Sequence, residues 1–167
     1  MPIPDLAATT LRLVDVPSES RSEAAIVDLV RELVPGDPVY DDGEVLLYGD
    51  GPIVLAGHVD TIPAQGNVPG RIADGVVHGL GASDMKGGIA VMIELARAGI
   101  RGRYLFFTRE EVPVSESPLP ALFATGLLAD AELAVVLEPT DNELHAGCLG
   151  NLQARITFRG ESAHSAR

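Results

Sequence analysis

One stretch of this chain reads Gly79-Leu80-Gly81-Ala82-Ser83-Asp84-Met85-Lys86-Gly87-Gly88 and places a carboxylate between two glycine clusters. The glycines allow a sharp turn and a close approach of the backbone to its neighbours. An apolar helix is predicted directly afterwards, over residues 87–97. On its own, Asp84 could simply cap that helix, which is a common role for aspartate. The rest of the chain favours a second interpretation, in which Asp84 binds a cation.

Three continuous apolar runs each end in acidic or imidazole side chains. Such runs are typical of strands buried on both faces of a helix-covered sheet. Parallel strands bring their carboxyl ends to one edge of the sheet, where ligands bind. The sequence therefore predicts an α/β fold with a largely parallel, mixed sheet covered by helices. In this fold the side chains at the strand ends are expected to lie close to Asp84. The runs are 53–57 before His58, 104–108 before Glu110 and Glu111, and 133–137 before Glu138.

Local signals predict the remaining elements. Asp5 can cap a first helix, and Ser20 with Glu23 forms the pattern of a capping box for a second. Asp-Gly pairs predict tight turns between short strands. A further helix is expected after Ser117-Pro118, with three apolar side chains directed inward. The turns are 41–43 and 74–75, and the inward side chains are Leu119, Leu122 and Phe123.

Two short motifs carry chemistry. His58 and Asp60 are two residues apart in an extended segment, so the carboxylate can accept a hydrogen bond from the imidazole, as beside many metal-binding histidines. The adjacent Glu110 and Glu111 follow a buried run, where two ionised carboxylates would be costly unless their roles differ. One could ligate a metal while the other takes a proton from water, whose pKa falls to roughly 7 on a divalent ion. Alone, each motif is more often a solvated surface feature.

Composition limits the function classes. The 167 residues carry 12 basic and 24 acidic side chains, a net charge of −12, which argues against nucleic-acid and anionic membrane partners. No apolar run reaches the roughly 18 residues of a membrane span, and a cytoplasmic location is expected. The single cysteine, Cys148, is interpreted as a packing residue. His78 and His145 fall in predicted strands away from the acidic strand ends and are interpreted as ordinary histidines.

Four motifs in fixed order, His58-Val59-Asp60, residues 81–88, residues 108–111 and Glu138-Pro139-Thr140, resemble the aminoacylase/carboxypeptidase family of di-zinc hydrolases. Within this family, residues 147–152 and 160–167 are most similar to succinyl-diaminopimelate desuccinylases of the actinobacterial type. The resemblance implies the zinc-peptidase type of catalytic domain.

The resemblance also implies a site for two divalent ions, with zinc as the first expectation and cobalt as the alternative. His58, Asp84 and Glu138 would hold one ion. Asp84 would bridge to the second ion, which Glu111 also binds. A cis peptide bond is implied between Asp84 and Met85.

Further roles follow from the same resemblance. Glu110 would be the general base and acid, and Asp60 would orient His58. Residues 1–153 would form the amino-terminal part of the catalytic domain, and residues 154–167 the start of an α+β lid and dimerisation domain. From this lid, His164 would reach the partner subunit's active site, so that a homodimer is expected.

The implied reaction hydrolyses N-succinyl-diaminopimelate to diaminopimelate and succinate, in lysine biosynthesis. Family members continue for about as many residues again and supply a further histidine to the second metal, so this chain is expected to be an inactive fragment. Two alternatives stay open. One is another N-acyl-amino-acid amidohydrolase or dipeptidase of the family. The other is a catalytically dead remnant that acts as a metal-binding or interaction module.

Overall fold

The computed structural model describes residues 5–147 and 154–161. Within these ranges the chain forms four α-helices and seven strands, with a π-helical turn at Ala82–Lys86 and a 3-10 turn at Val114–Glu116. The helices are α1 (Leu6–Val14), α2 (Ala24–Leu33), α3 (Gly87–Arg97) and α4 (Leu119–Ala124). The strands are β1 (Tyr40–Asp41), β2 (Val45–Gly49), β3 (Ile53–His58), β4 (Arg71–Ala73), β5 (Val76–His78), β6 (Arg103–Phe107) and β7 (Leu133–Val136).

Five strands form one mixed sheet in the order β1-β2-β6-β3-β7. Strands β6, β3 and β7 run parallel to one another, whereas β2 pairs antiparallel with both β6 and β1 at the other side of the sheet. In the register, His58 pairs with Phe107 and Ala56 with Val136, so the three parallel strands end at one edge. The prediction of a largely parallel mixed sheet is confirmed. Strands β4 and β5 form a separate two-stranded hairpin.

Strands β2 and β6 are buried on both faces, which explains their continuous apolar runs, whereas the edge strand β7 leaves Leu133 and Val136 53% and 52% exposed, contrary to the burial predicted for it. Alternate residues of β2 and β6 point to opposite sides, as the two-residue period of a strand requires. Leu46 and Phe106 join the core formed with α1, α2 and α3. Their neighbours Leu47 and Leu105 pack on the other side with Leu122 of α4. A strand with helices on both sides has no polar face, so its sequence does not alternate.

Several local predictions hold. Asp5 caps α1, because its carboxylate accepts a hydrogen bond from the amide of Ala8 at 3.0 Å. Both predicted turns connect antiparallel strands. In the first turn, the Asp42 carboxylate accepts hydrogen bonds from the amides of Glu44 and Val45.

Two local predictions are wrong. The capping box of α2 does not form, since Glu23 occupies the N-cap position without a side-chain hydrogen bond and the Ser20 hydroxyl is engaged elsewhere. In α4, Leu122 is fully buried as expected, but Phe123 is 57% exposed. With only six residues, α4 presents a narrow face to the sheet, and adjacent positions 122 and 123 cannot both point inward.

No helix in the described part of the chain has the length and apolar character needed to cross a membrane. Residues 154–161 form neither helix nor strand. Cys148, His164 and the rest of residues 162–167 of the expected lid segment lie outside the described residues, and the division at residue 153 stays a prediction.

Candidate metal centre

His58 is the last residue of β3, and its side chain is only 1% exposed. Its Nδ1 atom lies 3.1 Å from the backbone oxygen of Asp60 and 3.3 Å from the Asp60 carboxylate. These contacts turn Nε2 toward two other acids, 3.1 Å from Oδ1 of Asp84 and 3.6 Å from Oε1 of Glu138. The ring is therefore held on one nitrogen and presents the other to a cluster of carboxylates, which is how a metal-binding histidine is oriented.

Asp84 reaches this cluster because α3 begins unusually close to the sheet. A Cβ atom at Gly57 would lie 2.5 Å from Cε of Met85, and one at Gly88 would lie 2.6 Å from the backbone oxygen of Leu137. A side chain at Gly88 would push the start of α3 away from the end of β7, whereas one at Gly57 would first displace the side-chain ends of Met85 and Ile89. The peptide bond between Asp84 and Met85 is cis, as the family resemblance implied.

The potential ligand atoms fall into two groups that share His58. In one group, the ligand atoms of His58, Asp84 and Glu138 all lie within 4.8 Å of one another. In the other, the ligand atoms of His58, Glu110 and Glu111 also lie within 4.8 Å of one another. The structure thus brings together all the predicted metal ligands and the predicted base. Both glutamates after β6 are exposed, contrary to the buried approach expected from the preceding run.

Asp60 contacts both groups, because its carboxylate faces His58 and accepts hydrogen bonds from the backbone amides of Glu110 and Glu111. Its carboxylate is fully buried and lies within hydrogen-bonding distance of four donors. Oδ1 accepts from the amide of Glu110 at 3.0 Å and faces Nδ1 of His58, while Oδ2 accepts from the Ser20 hydroxyl at 2.7 Å and the amide of Glu111 at 3.1 Å. Burial raises the pKa of this carboxyl, but the hydrogen bonds from His58, Ser20 and the two amides outweigh it and lower the pKa to about 2.

Sequence reasoning assigned Asp60 to His58 alone and missed its contacts with the loop of Glu110 and Glu111. It also missed the contact of Ser20 with Asp60, because the pattern from Ser20 to Glu23 predicted that the Ser20 hydroxyl caps a helix. The position of Asp60 directly after a buried strand was a signal of burial. A buried carboxylate needs several donors, and one imidazole could not supply them.

The electrostatics of the cluster show an excess of negative charge. Burial lowers the pKa of His58, but the carboxylates of Asp60, Glu138 and Asp84 together raise it to about 9. Burial and the neighbouring charge of Asp84 raise the pKa of Glu138 to about 7. Burial and Asp84 likewise raise the pKa of Glu111. Neighbouring carboxylates repel one another when both are ionised, and a cation bound between them would offset this repulsion.

This donor set fits a divalent ion. One imidazole nitrogen with several carboxylate oxygens suits zinc and related metals. The single lysine of the sequence, Lys86, does not neutralise the cluster, because its ammonium group donates hydrogen bonds to the backbone oxygens of Leu13 and Val16 at 3.0 and 2.9 Å. Lys86 therefore supplies no counter-charge to the carboxylates, and a divalent ion is a counter-charge that this donor set can hold.

The other two described histidines lie outside the cluster. His78 ends β5 in the separate hairpin and is exposed. His145 is also exposed, but it lies in a segment without regular structure rather than in a strand, and its Nε2 is 3.9 Å from the carboxylate of Glu143.

Comparison with known proteins gives a family match and a set of relatives. The family described as "Peptidase family M20/M25/M40" matches residues 54–162. A Mycobacterium tuberculosis protein provisionally named succinyl-diaminopimelate desuccinylase is 36% identical, covering 95% of this chain and 49% of that protein. Succinyl-diaminopimelate desuccinylase of Corynebacterium glutamicum is 34% identical over 98% of this chain and 49% of the relative. N-acetyl-L-citrulline deacetylase of Xanthomonas campestris is 31% identical, with 96% and 49% covered. The chain spans about half the length of these relatives.

Solved structures share the fold. A metallo-carboxypeptidase of Sulfolobus solfataricus superposes with a TM-score of 0.61 at 16% identity, covering 81% of this chain and 37% of the other. A dinuclear metal-binding peptidase of Bacillus subtilis gives 0.52 at 19% identity, with 78% and 41% covered.

Proposed function

This chain belongs to peptidase family M20/M25/M40, and on that premise we propose that it carries the metal-binding residues of a two-metal amide hydrolase. One observation carries the proposal. His58 is shared by two groups of carboxylates, each with its ligand atoms within 4.8 Å of one another, and both groups lie at the carboxyl edge of one sheet.

In the proposed site, His58, Asp84 and Glu138 would hold the first ion, and Asp84 and Glu111 would hold the second. Asp84 is suited to the shared position because it contacts His58 directly and its charge acts on both Glu138 and Glu111. When bound, two divalent ions polarise a substrate carbonyl and make water easier to deprotonate. Zinc is the first expectation for their identity, and cobalt is the alternative.

Glu110 is the residue we assign to proton transfer. Its side chain is exposed at the rim of the cluster, where both water and a substrate amide have access. Its backbone amide is anchored to Asp60, so the side chain projects from a fixed point. As a general base, Glu110 takes a proton from the attacking water and then gives it to the leaving amine. Asp60 holds His58 through Nδ1 and keeps Nε2 free for the metal.

The proposed substrate is N-succinyl-diaminopimelate, cleaved to diaminopimelate and succinate in lysine biosynthesis. Support comes from the desuccinylase names of the relatives at 34% and 36% identity, which match nearly all of this chain. The deacetylase relative favours a second candidate, an N-acetyl amino acid. A homodimer in the cytoplasm, with His164 acting on the partner's site, belongs to the same proposal.

The function is tested by incubating the zinc-loaded chain with N-succinyl- and N-acetyl-diaminopimelate and measuring the free amine released. Each substrate is offered to the chain alone and to a mixture with the second half of the Corynebacterium glutamicum relative. Release of free amine from the succinyl substrate that depends on zinc and on Glu110 supports the proposal. Preference for the acetyl substrate selects the second candidate. Tight zinc binding without turnover in either arrangement would instead favour a metal-binding module.

A further inference from the structure

The Ser20 hydroxyl lies 40 residues from Asp60 in sequence, yet it forms the shortest of the hydrogen bonds that the Asp60 carboxylate accepts, at 2.7 Å. Ser20 lies in the segment that connects α1 to α2. We infer that Ser20 is a positioning residue for the loop that carries Glu110 and Glu111. The inference deepens the proposed function, since it rests on that loop belonging to the site.

Backbone contacts place Ser20 independently of its side chain. The amide of Ser20 donates to the backbone oxygen of Thr61 at 3.1 Å, and the amide of Thr61 donates to the backbone oxygen of Ser18 at 2.9 Å. Glu19 and Thr61 form a parallel bridge between these bonds. The segment therefore runs beside the residues that follow β3, and removal of the hydroxyl alone leaves it attached.

The hydroxyl acts on the loop through the Asp60 carboxylate. Oδ2 accepts from both Ser20 and the amide of Glu111, and Oδ1 accepts from the amide of Glu110. Asp60 is fully buried, so water cannot replace a lost donor without rearrangement. Without the Ser20 hydroxyl, Oδ2 keeps only the amide of Glu111 as a donor, so the carboxylate is held less firmly and both amides have a less fixed acceptor. The two glutamates would then sample a wider range of positions over the cluster.

The neighbouring residue provides a contrast. Arg21 forms a paired hydrogen bond with Glu116, which lies in the same loop beyond Glu111. Its side chain is 59% exposed, and an exposed ion pair contributes little to stability. If the segment 18–22 merely supported the loop as a scaffold, Arg21 and Ser20 would matter equally. The buried hydrogen bond predicts that Ser20 matters more.

The test is amide hydrogen exchange followed by NMR on the metal-free chain. In Ser20→Ala we expect exchange at the amides of Glu110 and Glu111 to accelerate about tenfold or more, which is the effect of losing a hydrogen bond to a charged group. Ser20→Thr, which keeps the hydroxyl, should restore slow exchange. The exposed neighbour provides the matched control Ser22→Ala, which should match the wild type, and Arg21→Ala should change these amides by less than Ser20→Ala.

A zinc titration provides the second readout. Ser20→Ala should weaken the second bound ion, which depends on Glu111, more than the first, and Ser20→Thr should recover it. Unchanged exchange at both amides in Ser20→Ala would overturn the inference, and so would an equal acceleration throughout β3 and β6, which would reveal general destabilisation. The exchange result needs no metal. If the amides respond as expected while zinc does not bind, the positioning role stands and the proposed function fails.

Discussion

Nε2 of His58 lies 3.1 Å from Oδ1 of Asp84, although the two residues are 26 positions apart and belong to a strand end and a helix start. The contact depends on Gly57 and Gly88, which let α3 approach β3 and the end of β7. It is the point at which both candidate ligand groups meet. The binding of a first ion should therefore depend on these two side chains together.

Zinc titration by calorimetry should show one tight site and a second, weaker one. Both groups contain the same imidazole, so whichever ion binds second has only carboxylates available among the described residues. His58→Ala should abolish the tight site, and Asp84→Asn should weaken both. The matched control is His78→Ala in the separate hairpin, which should bind like the wild type. Two equally tight sites in the wild type would contradict this assignment.

Replacing Glu110 and Glu111 one at a time by glutamine should distinguish their two roles. Glu110→Gln should keep both zinc affinities, because its carboxylate is assigned to proton transfer. Glu111→Gln should weaken the second ion, and added zinc should partly restore its binding. Where the chain alone, or its mixture with the second half of the relative, shows measurable turnover, Glu110→Gln should lower kcat by about 100- to 10,000-fold with a smaller change in KM. Loss of zinc from Glu110→Gln with retention in Glu111→Gln would reverse the two roles.

The pKa of His58 should be measurable in the metal-free chain by NMR titration of the imidazole. The structure raises it from the usual 6.5 to about 9, with Asp60 as the first of the groups that raise it. Asp60→Asn should therefore lower the titration midpoint of His58. Addition of zinc should remove the titration near pH 9, since the metal needs the neutral ring. A midpoint near 6.5 in the metal-free wild type would show that the cluster carries less negative charge than the geometry indicates.

The same group makes the metal-free chain less stable at high pH. The folded state keeps the His58 proton up to about pH 9, whereas the unfolded chain loses it near 6.5. The stabilisation is complete below pH 6.5 and is lost as the pH rises through 9, with a size of roughly 3 kcal/mol. Urea unfolding of wild type and His58→Gln at pH 6 and 9 isolates this contribution. The difference between the two proteins should shrink at pH 9.

Gly88→Ala should destabilise the chain and weaken zinc binding in the same variant. A Cβ at this position would lie 2.6 Å from a backbone oxygen and 2.9 Å from Cβ of Leu137, and neither atom moves freely. We expect a loss of about 1–3 kcal/mol in the free energy of unfolding. The control is Gly102→Ala, whose Cβ would meet its nearest atom at an ordinary 3.6 Å. Equal stability of the two variants would show that α3 does not need its close approach.

Much of the fold followed from local patterns. The bounds of α3, the two Asp-Gly turns and the cap at Asp5 depend on residues near in sequence, so the sequence was sufficient to predict them. The parallel strands followed from apolar runs without alternation. The meeting of the acidic residues that follow these strands could also be predicted, because the carboxyl ends of parallel strands lie at the same edge of a sheet.

The wrong predictions share a physical cause. Ser20 satisfied a local capping pattern, yet its hydroxyl binds Asp60, a partner that only folding brings within reach. The inward direction of Phe123 and the burial of Glu110 and Glu111 depended equally on neighbours distant in sequence. The sequence by itself determined which side chains would meet at the edge of the sheet. Tertiary structure alone decided how they are held, because a buried carboxylate takes its donors from whichever segments pack against it, and these carry no shared pattern along the chain.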